Sequence, residues 1–261
     1  MTGLRTHIDE MHRLLASVGY HGTREVYRDF VEVAAISHAN VFPQRNAAAL
    51  EERYRKIIGK YRQAHHEIFP RLLAHLVLAL NYKACDVLGE LYMALDAGSA
   101  RLGQFYTPAA ITEVLSKLAS PSTEQLHRIV EEVGFINAHE PAAGAGALII
   151  EQAAQLLEHG INYQQHYHAT LIDIDLCAVH MAFLQLSVLH VPATVIHGNS
   201  LTLEEHSVWH TPAYHLGSFG TKLKRGYALG SLRDLQSQER APTSSQKRYV
   251  PEPSSSSLIS S

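Results

Sequence analysis

Cysteine is nearly absent from this chain. Only Cys85 and Cys177 occur in 261 residues, both in apolar, helix-patterned surroundings. They cannot form a disulfide framework, so a reducing, cytoplasmic setting is the expectation. Long hydrophobic runs are missing too: no apolar stretch approaches the ~20 residues of a membrane helix. Met1 to Tyr20 is polar and helix-patterned, so no signal peptide is expected. Charge of one sign is also lacking. With 22 Lys and Arg against 25 Asp and Glu, the formal net charge is −3, which gives no overall pull toward nucleic acid. Any such contact must come from a local patch. Histidine is plentiful at 18, but scattered. His206, His210 and His215 lie close in sequence, yet no cysteine or carboxylate constellation completes them, and no metal site is expected. What remains is a chain with 46% hydrophobic residues and a mean hydropathy of −0.08, long enough for one large domain or two small ones.

Residues 1–100 read as a helical N-terminal domain. Ile8, Met11, Leu15, Val18, Val26, Phe30 and Val33 recur at helical spacing, with a break near Gly19–Gly22. Asn46 is placed to cap a helix through Leu50, Tyr54, Ile57 and Tyr61. Pro70 is placed to open an apolar helix over Leu72–Leu80 that continues through Val87, Leu88, Leu91 and Leu95. Nothing in this region carries chemistry by itself. Gly103-Gln104-Phe105-Tyr106-Thr107-Pro108 follows, and Thr107-Pro108 should start a helix over Ala109–Leu118.

The stretch Phe135–Leu148 organises what comes next. A short apolar strand closes on Glu140, turns through small residues with Gly144 and Gly146, and enters an apolar helix from Ala147 to about His159. Such a turn serves either a tight strand–helix corner or a ligand approaching backbone N–H groups. A second strand, Tyr167–Asp175, ends in carboxylates at the spacing of a βαβ unit. The helix Leu176–His190 leads to a third strand, Ala193–His197, which opens into Gly198-Asn199-Ser200-Leu201. Strands alternating with helices, with polar residues at each strand's C-terminal end, predict an α/β fold whose parallel sheet binds its ligand there.

In their order, Gly103–Pro108, Glu140-Pro141-Ala142-Ala143-Gly144-Ala145-Gly146, Ile172-Asp173-Ile174-Asp175 and Gly198–Leu201 resemble the N6-adenine DNA methyltransferases. The likeness is closest to the modification subunits of type I restriction systems, and it covers about residues 84–203. Asp86–Leu95 resembles the helix those subunits place before their Gly-x-Phe-x-Thr-Pro turn. The resemblance implies a Rossmann-like methyltransferase fold with S-adenosylmethionine as cofactor. By position, Phe105, Thr107 and Pro108 would hold the methionine end and Glu140 would face its ammonium group. Ala142, Gly144 and Gly146 would let the backbone approach, and Asp173 would bind the ribose. Asn199 would stand at the adenine amino group, where the family usually has aspartate; an amide oxygen can still accept that bond.

The family's catalytic loop, Asn/Asp-Pro-Pro-Tyr/Phe after a fourth strand, has no match in the sequence. Thr211-Pro212-Ala213-Tyr214 is the nearest string, which makes Tyr214 the one candidate for stacking a flipped base. Glu204-Glu205-His206-Ser207 stands where an apolar strand should precede it. The expectation is therefore the first half of a methyltransferase sheet over residues 101–220, with strand one at an edge. Either residues 203–230 cover that edge, or a partner protein or a second copy does. From residue 221 the chain is basic and ends Ser/Pro-rich, an expected disordered tail able to touch DNA backbone without reading sequence. Two functions follow: an adenine-N6 DNA methyltransferase of restriction–modification type, or a catalytically inactive relative acting as a binding or regulatory module.

Overall fold

The computed structural model describes residues 3–43, 46–96, 112 and 121–240. Among the described residues five α-helices form the N-terminal region: α1 (Leu4–Ala16), α2 (Thr23–Ala39), α3 (Ala47–Ile58), α4 (Ile68–Tyr82) and α5 (Val87–Asp96). The expected apolar stripe of α1 and α2 is the buried one, with Met11, Val26 and Phe30 fully enclosed. The long helix expected through Leu95 is instead two. The chain extends at Lys83, and the Asp86 side chain accepts from Gly89 N at 2.7 Å to start α5 afresh. Buried Asp29 on α2 binds Lys60 Nζ through both oxygens at 2.9 Å and Tyr61 Oη at 2.8 Å. That pairing lets a carboxylate sit within a helical core.

The α/β part opens with α6 (Thr123–Val133), started by a capping box in which Ser122 and Gln125 satisfy each other's backbone N–H. Next come β1 (Ile136–Glu140), α7 (Ala147–Glu158), the single turn α8 (Tyr163–His166), β2 (Tyr167–Asp173), α9 (Leu176–Val188), β3 (Ala193–Asn199) and β4 (Glu204–His210). The sheet order is β1-β2-β3-β4. The first three strands are parallel and β4 is antiparallel to β3. Alternate residues Tyr167, Ala169, Leu171, Ala193, Val195 and Trp209 form one face, buried against α7, α9 and Ala35, Ile36 and Ala39 of α2. Since α9 also contributes Ala178, Met181 and Leu184 to the core of α1–α5, it is the wall shared by the helical region and the sheet.

The opposite face carries a polar ladder. Asn137, His168, Thr194 and His210, one from each strand, are linked by His168 Nδ1···Asn137 Oδ1 at 2.9 Å, His168 Nε2···Thr194 Oγ1 at 3.2 Å and Thr194 Oγ1···His210 Nδ1 at 3.2 Å. One set of neutral tautomers satisfies all three bonds: His210 donates to Thr194, Thr194 to His168, and His168 to Asn137. The short helices α10 (Pro212–Leu216) and α11 (Phe219–Arg225) close over this ladder. Tyr214 stacks on His210 at 4.1 Å and Phe219 on His168 at 5.6 Å.

Strand one does lie at a sheet edge. Glu204–His210, too polar to be expected as a strand, forms β4 as the return arm of a hairpin with β3. It therefore extends the far side of the sheet, and among the described residues no strand pairs with the outer edge of β1. The region expected as a tail from residue 221 contains the end of α11 and a further helix, α12 (Leu232–Arg240), which is amphipathic and packs on α6. Arg233 on α12 pairs with Glu132 at 3.1 Å, and buried Asp234 accepts from Gly230 N at 2.9 Å. Residues 241–261 lie outside the described residues. No helix among the described residues is long and apolar enough to cross a membrane.

Candidate functional site

At the C-terminal ends of β1–β3, the turn 141–146 continues the ladder for one more bond: Ala143 N donates to Ile172 O at 3.0 Å. Gly144 (φ +52°) and Gly146 (φ +88°) then take left-handed conformations, which β-carbons disfavour by roughly 1–2 kcal/mol. A Cβ on Gly146 would also press on Ala182 of α9. The glycines thus answer the corner's own geometry; Ala143 and Ala145 are buried beneath the turn, while Pro141 and Ala142 stand exposed at the strand ends.

Two side chains hold the turn. Asp173, at the end of β2, accepts from Gly144 N through Oδ2 and from Asp175 N through Oδ1, both at 2.8 Å. Asp175 in turn caps α9 by accepting from Cys177 N at 2.9 Å. Beneath the turn, fully buried Gln185 of α9 donates to Ala145 O and Asp86 Oδ1 and accepts from Leu88 N, each at 2.9 Å. This amide ties the glycine turn to the start of α5. Burial pushes the Asp86 carboxyl up, with the bonds from Gln185 and Gly89 opposing that shift. Sequence reasoning missed Gln185. Its signal was a lone amide inside a helix whose residues Ala178–Ser187 are all buried.

The structure brings Glu140, Ala142, Gly144, Gly146 and Asp173 together at the ends of adjacent strands, with Asn199 at the end of the next. Glu140 is half-buried and its Oε1 accepts from Ala142 N at 3.2 Å. Asn199 Oδ1 accepts from Leu201 N at 2.9 Å and Thr202 N at 3.4 Å, so that oxygen is engaged in the hairpin turn and the amide nitrogen is the group left to point outward. Gly198 is required where the hairpin crosses itself: a Cβ there would collide with Glu204 O at the β-bulge. Large apolar side chains stand exposed beside these polar groups, Ile174 at 67% and Leu201 at 92%. Phe105, Thr107 and Pro108 lie outside the described residues.

Tyr214 is not brought to this site. Because β4 runs back along β3, His210 lies opposite Thr194, and Tyr214 stacks there. That is five residues from Asn199, roughly 17 Å along a strand. The three histidines also part company. His206 meets His197 (4.9 Å between rings) near the strand ends that carry Asn199, whereas His210 and His215 sit together at the other end.

Compared with known proteins, the chain matches a family model described as N-6 DNA methylase over residues 83–215, just over half its length. None of the curated protein sequences matches it significantly. Among solved structures it is similar to a protein from Listeria monocytogenes assigned as a class I S-adenosylmethionine-dependent methyltransferase. The two are 14% identical with a TM-score of 0.40, and the match covers 87% of this chain and 70% of that one.

Proposed function

Since this chain belongs to the N-6 DNA methylase family, we propose that it binds S-adenosylmethionine at the ends of β1–β3 and serves adenine-N6 modification of DNA, in a restriction–modification setting. The observation that carries the reading is the clamped glycine turn. Asp173 holds Gly144 N and Asp175 N with one lone pair on each oxygen, and a second lone pair on each remains for ribose hydroxyls. The neighbouring groups suit the rest of such a ligand. Glu140 has an acceptor oxygen for an ammonium group, and Ile174 and Leu201 offer apolar cover for a purine ring. The Asn199 amide nitrogen can donate to a ring nitrogen of that purine. By the family likeness, Phe105, Thr107 and Pro108 would hold the methionine end.

When bound, S-adenosylmethionine supplies an electrophilic methyl group on sulfur. The residues of this chain orient and hold it, and none of the described ones is placed to hold the acceptor. Tyr214 stacks at the other end of the sheet, and residues 202–230 contain neither Asn nor Asp to receive the adenine amino group. Positioning of an acceptor can account for ~7–11 kcal/mol of a barrier. The described residues therefore act as the cofactor-holding half, and the acceptor-holding loop comes from outside them.

Tritiated S-adenosylmethionine should be retained by the protein, and no label should appear in duplex DNA. Asp173→Ala should weaken binding in calorimetry by ~1.5–3 kcal/mol, the loss of a charge-assisted hydrogen bond. Absence of binding to the wild type at millimolar cofactor would refute the cofactor reading. Label in DNA from the purified chain would refute the division of labour.

A further inference from the structure

We infer that the open edge of β1 is a docking groove for an extended, uncharged polypeptide strand presented by a second polypeptide. The backbone directions follow from two bonds. Ala169 N donates to Pro192 O, and Ala143 N donates to Ile172 O. Odd-numbered residues of β2 therefore turn their backbone groups to β3, and even-numbered ones to β1. With Ala138 opposite Ala169, Ala138 bonds to His168 and Thr170. The N–H and C=O groups of Asn137 and His139 are left pointing away from the sheet. Among the described residues no hydrogen bond takes these four groups, and such a row is a template for one more strand.

Beside that row lies a cavity of about 610 Å³ walled by Leu126, Ile129 and Val133 of α6, Leu156 of α7 and Leu223 of α11. Among the described residues, none that lines it is Asp, Glu, Lys or Arg. An entering strand would direct alternate side chains into it, and a charge there would find no Asp, Glu, Lys or Arg among the described residues to pair with. The described lining, which mixes these apolar walls with the neutral side chains of Gln152, Gln155 and Tyr167, thus favours uncharged residues at every second position. It also disfavours a second copy of this chain. Antiparallel pairing of two β1 strands about Ala138 would set Glu140 of each copy beside Ile136 of the other, at the mouth of the uncharged groove. A different strand, running parallel to β1, would end next to Glu140 and deliver whatever follows it to the strand ends. That last consequence rests on the cofactor reading; the docking does not.

The probe is a fluorescein-labelled, end-blocked heptapeptide, Thr-Val-Thr-Val-Thr-Val-Thr, titrated with the full chain by fluorescence anisotropy. Saturable binding is expected, and a peptide with Glu in place of each Val should not bind. His139→Pro removes one outward N–H and leaves the bonds to β2 intact, while Leu223→Glu puts a carboxylate into the groove. Each should weaken binding at least ~10-fold, with retention of fold checked by circular dichroism. Cofactor binding is measured in parallel: peptide binding without cofactor binding keeps the groove and removes the cofactor reading. The inference is overturned if the Val peptide does not bind, if the Glu peptide binds equally, or if neither variant weakens it. It is also overturned if sedimentation shows a dimer that His139→Pro dissolves.

Discussion

Replacing Gln185 with leucine should damage both the stability of the fold and the glycine turn. Leucine is close in volume and belongs in a helix, so the substitution leaves α9 and its packing largely intact. What it removes is three hydrogen bonds at 2.9 Å, to Asp86 Oδ1, Ala145 O and Leu88 N. Gln185 is fully buried, so Ala145 O and Leu88 N lose this partner without ready access to water, while Asp86 Oδ1 keeps its bond from Gly89 N. A buried polar group left unsatisfied costs ~1–3 kcal/mol, and more if charged. Two such groups and a weakened Asp86, offset in part by burying a leucine in place of an amide, give about 2–5 kcal/mol. That is a large share of the ~5–15 kcal/mol that holds a typical domain, and urea unfolding at pH 7 would read it directly. Asp86 supplies an internal check. Its carboxyl is already pushed up by burial, so its folded-state pKa exceeds the unfolded one and its charge opposes folding as pH rises. Asp86→Asn keeps an acceptor for Gly89 N and Gln185, and should be neutral or stabilising at pH 7. Gln185→Leu should cost less in the Asp86→Asn background than in the wild type. If Gln185→Leu unfolds within ~0.5 kcal/mol of the wild type, the network does not hold the turn and this reasoning is wrong.

Acid should destabilise the protein through its buried histidines. Burial pulls His168 and His180 each down to about 4, below their unfolded value. Stability should then be full above pH ~6.5 and decline toward pH 4 by up to ~1.4 kcal/mol per pH unit per histidine. Urea midpoints at pH 7, 5.5 and 4.5 would show it, and a flat profile would contradict it. Gly198→Ala should force the β3–β4 hairpin apart where a Cβ meets Glu204 O, costing ~1–3 kcal/mol as overpacking does; thermal melts test this. Tyr214→Ala should leave cofactor affinity unchanged in calorimetry and lower stability through loss of its stacking on His210. A selective loss of cofactor binding would place Tyr214 back at the site.

The legible parts of the fold were those where one physical requirement dominated the local sequence. β1, β2 and β3 alternate with apolar helices and end in Glu140, Asp173 and Asn199, so both the layers and the end that carries the candidate site could be read. β4 could not, because only Trp209 among its seven residues is buried. Its pairing comes from the hairpin that Gly198 allows, not from a pattern of its own. α12 was hidden for a related reason: its apolar stripe is two leucines in a charged segment, and its anchors are a buried aspartate and a surface ion pair.

In the site, the side chains that could touch a ligand were visible because strand ends expose them. The side chains that hold those in place were not. Asp173 was read as a ligand group, yet its bonds to Gly144 N and Asp175 N make it also the clamp of the turn. Gln185 and His168 sit in runs so apolar that periodicity says nothing about them. Buried polar side chains mostly have their bonds met, and Gln185 and His168 do, unlike the Ser187 hydroxyl on α9. In this protein each meets bonds from different elements, α5 and the glycine turn for Gln185, β1 and β3 for His168. Gln185 and His168 therefore mark where distant segments are joined, and it is at Gln185, beneath the glycine turn, that a substitution should loosen the site without touching its ligand.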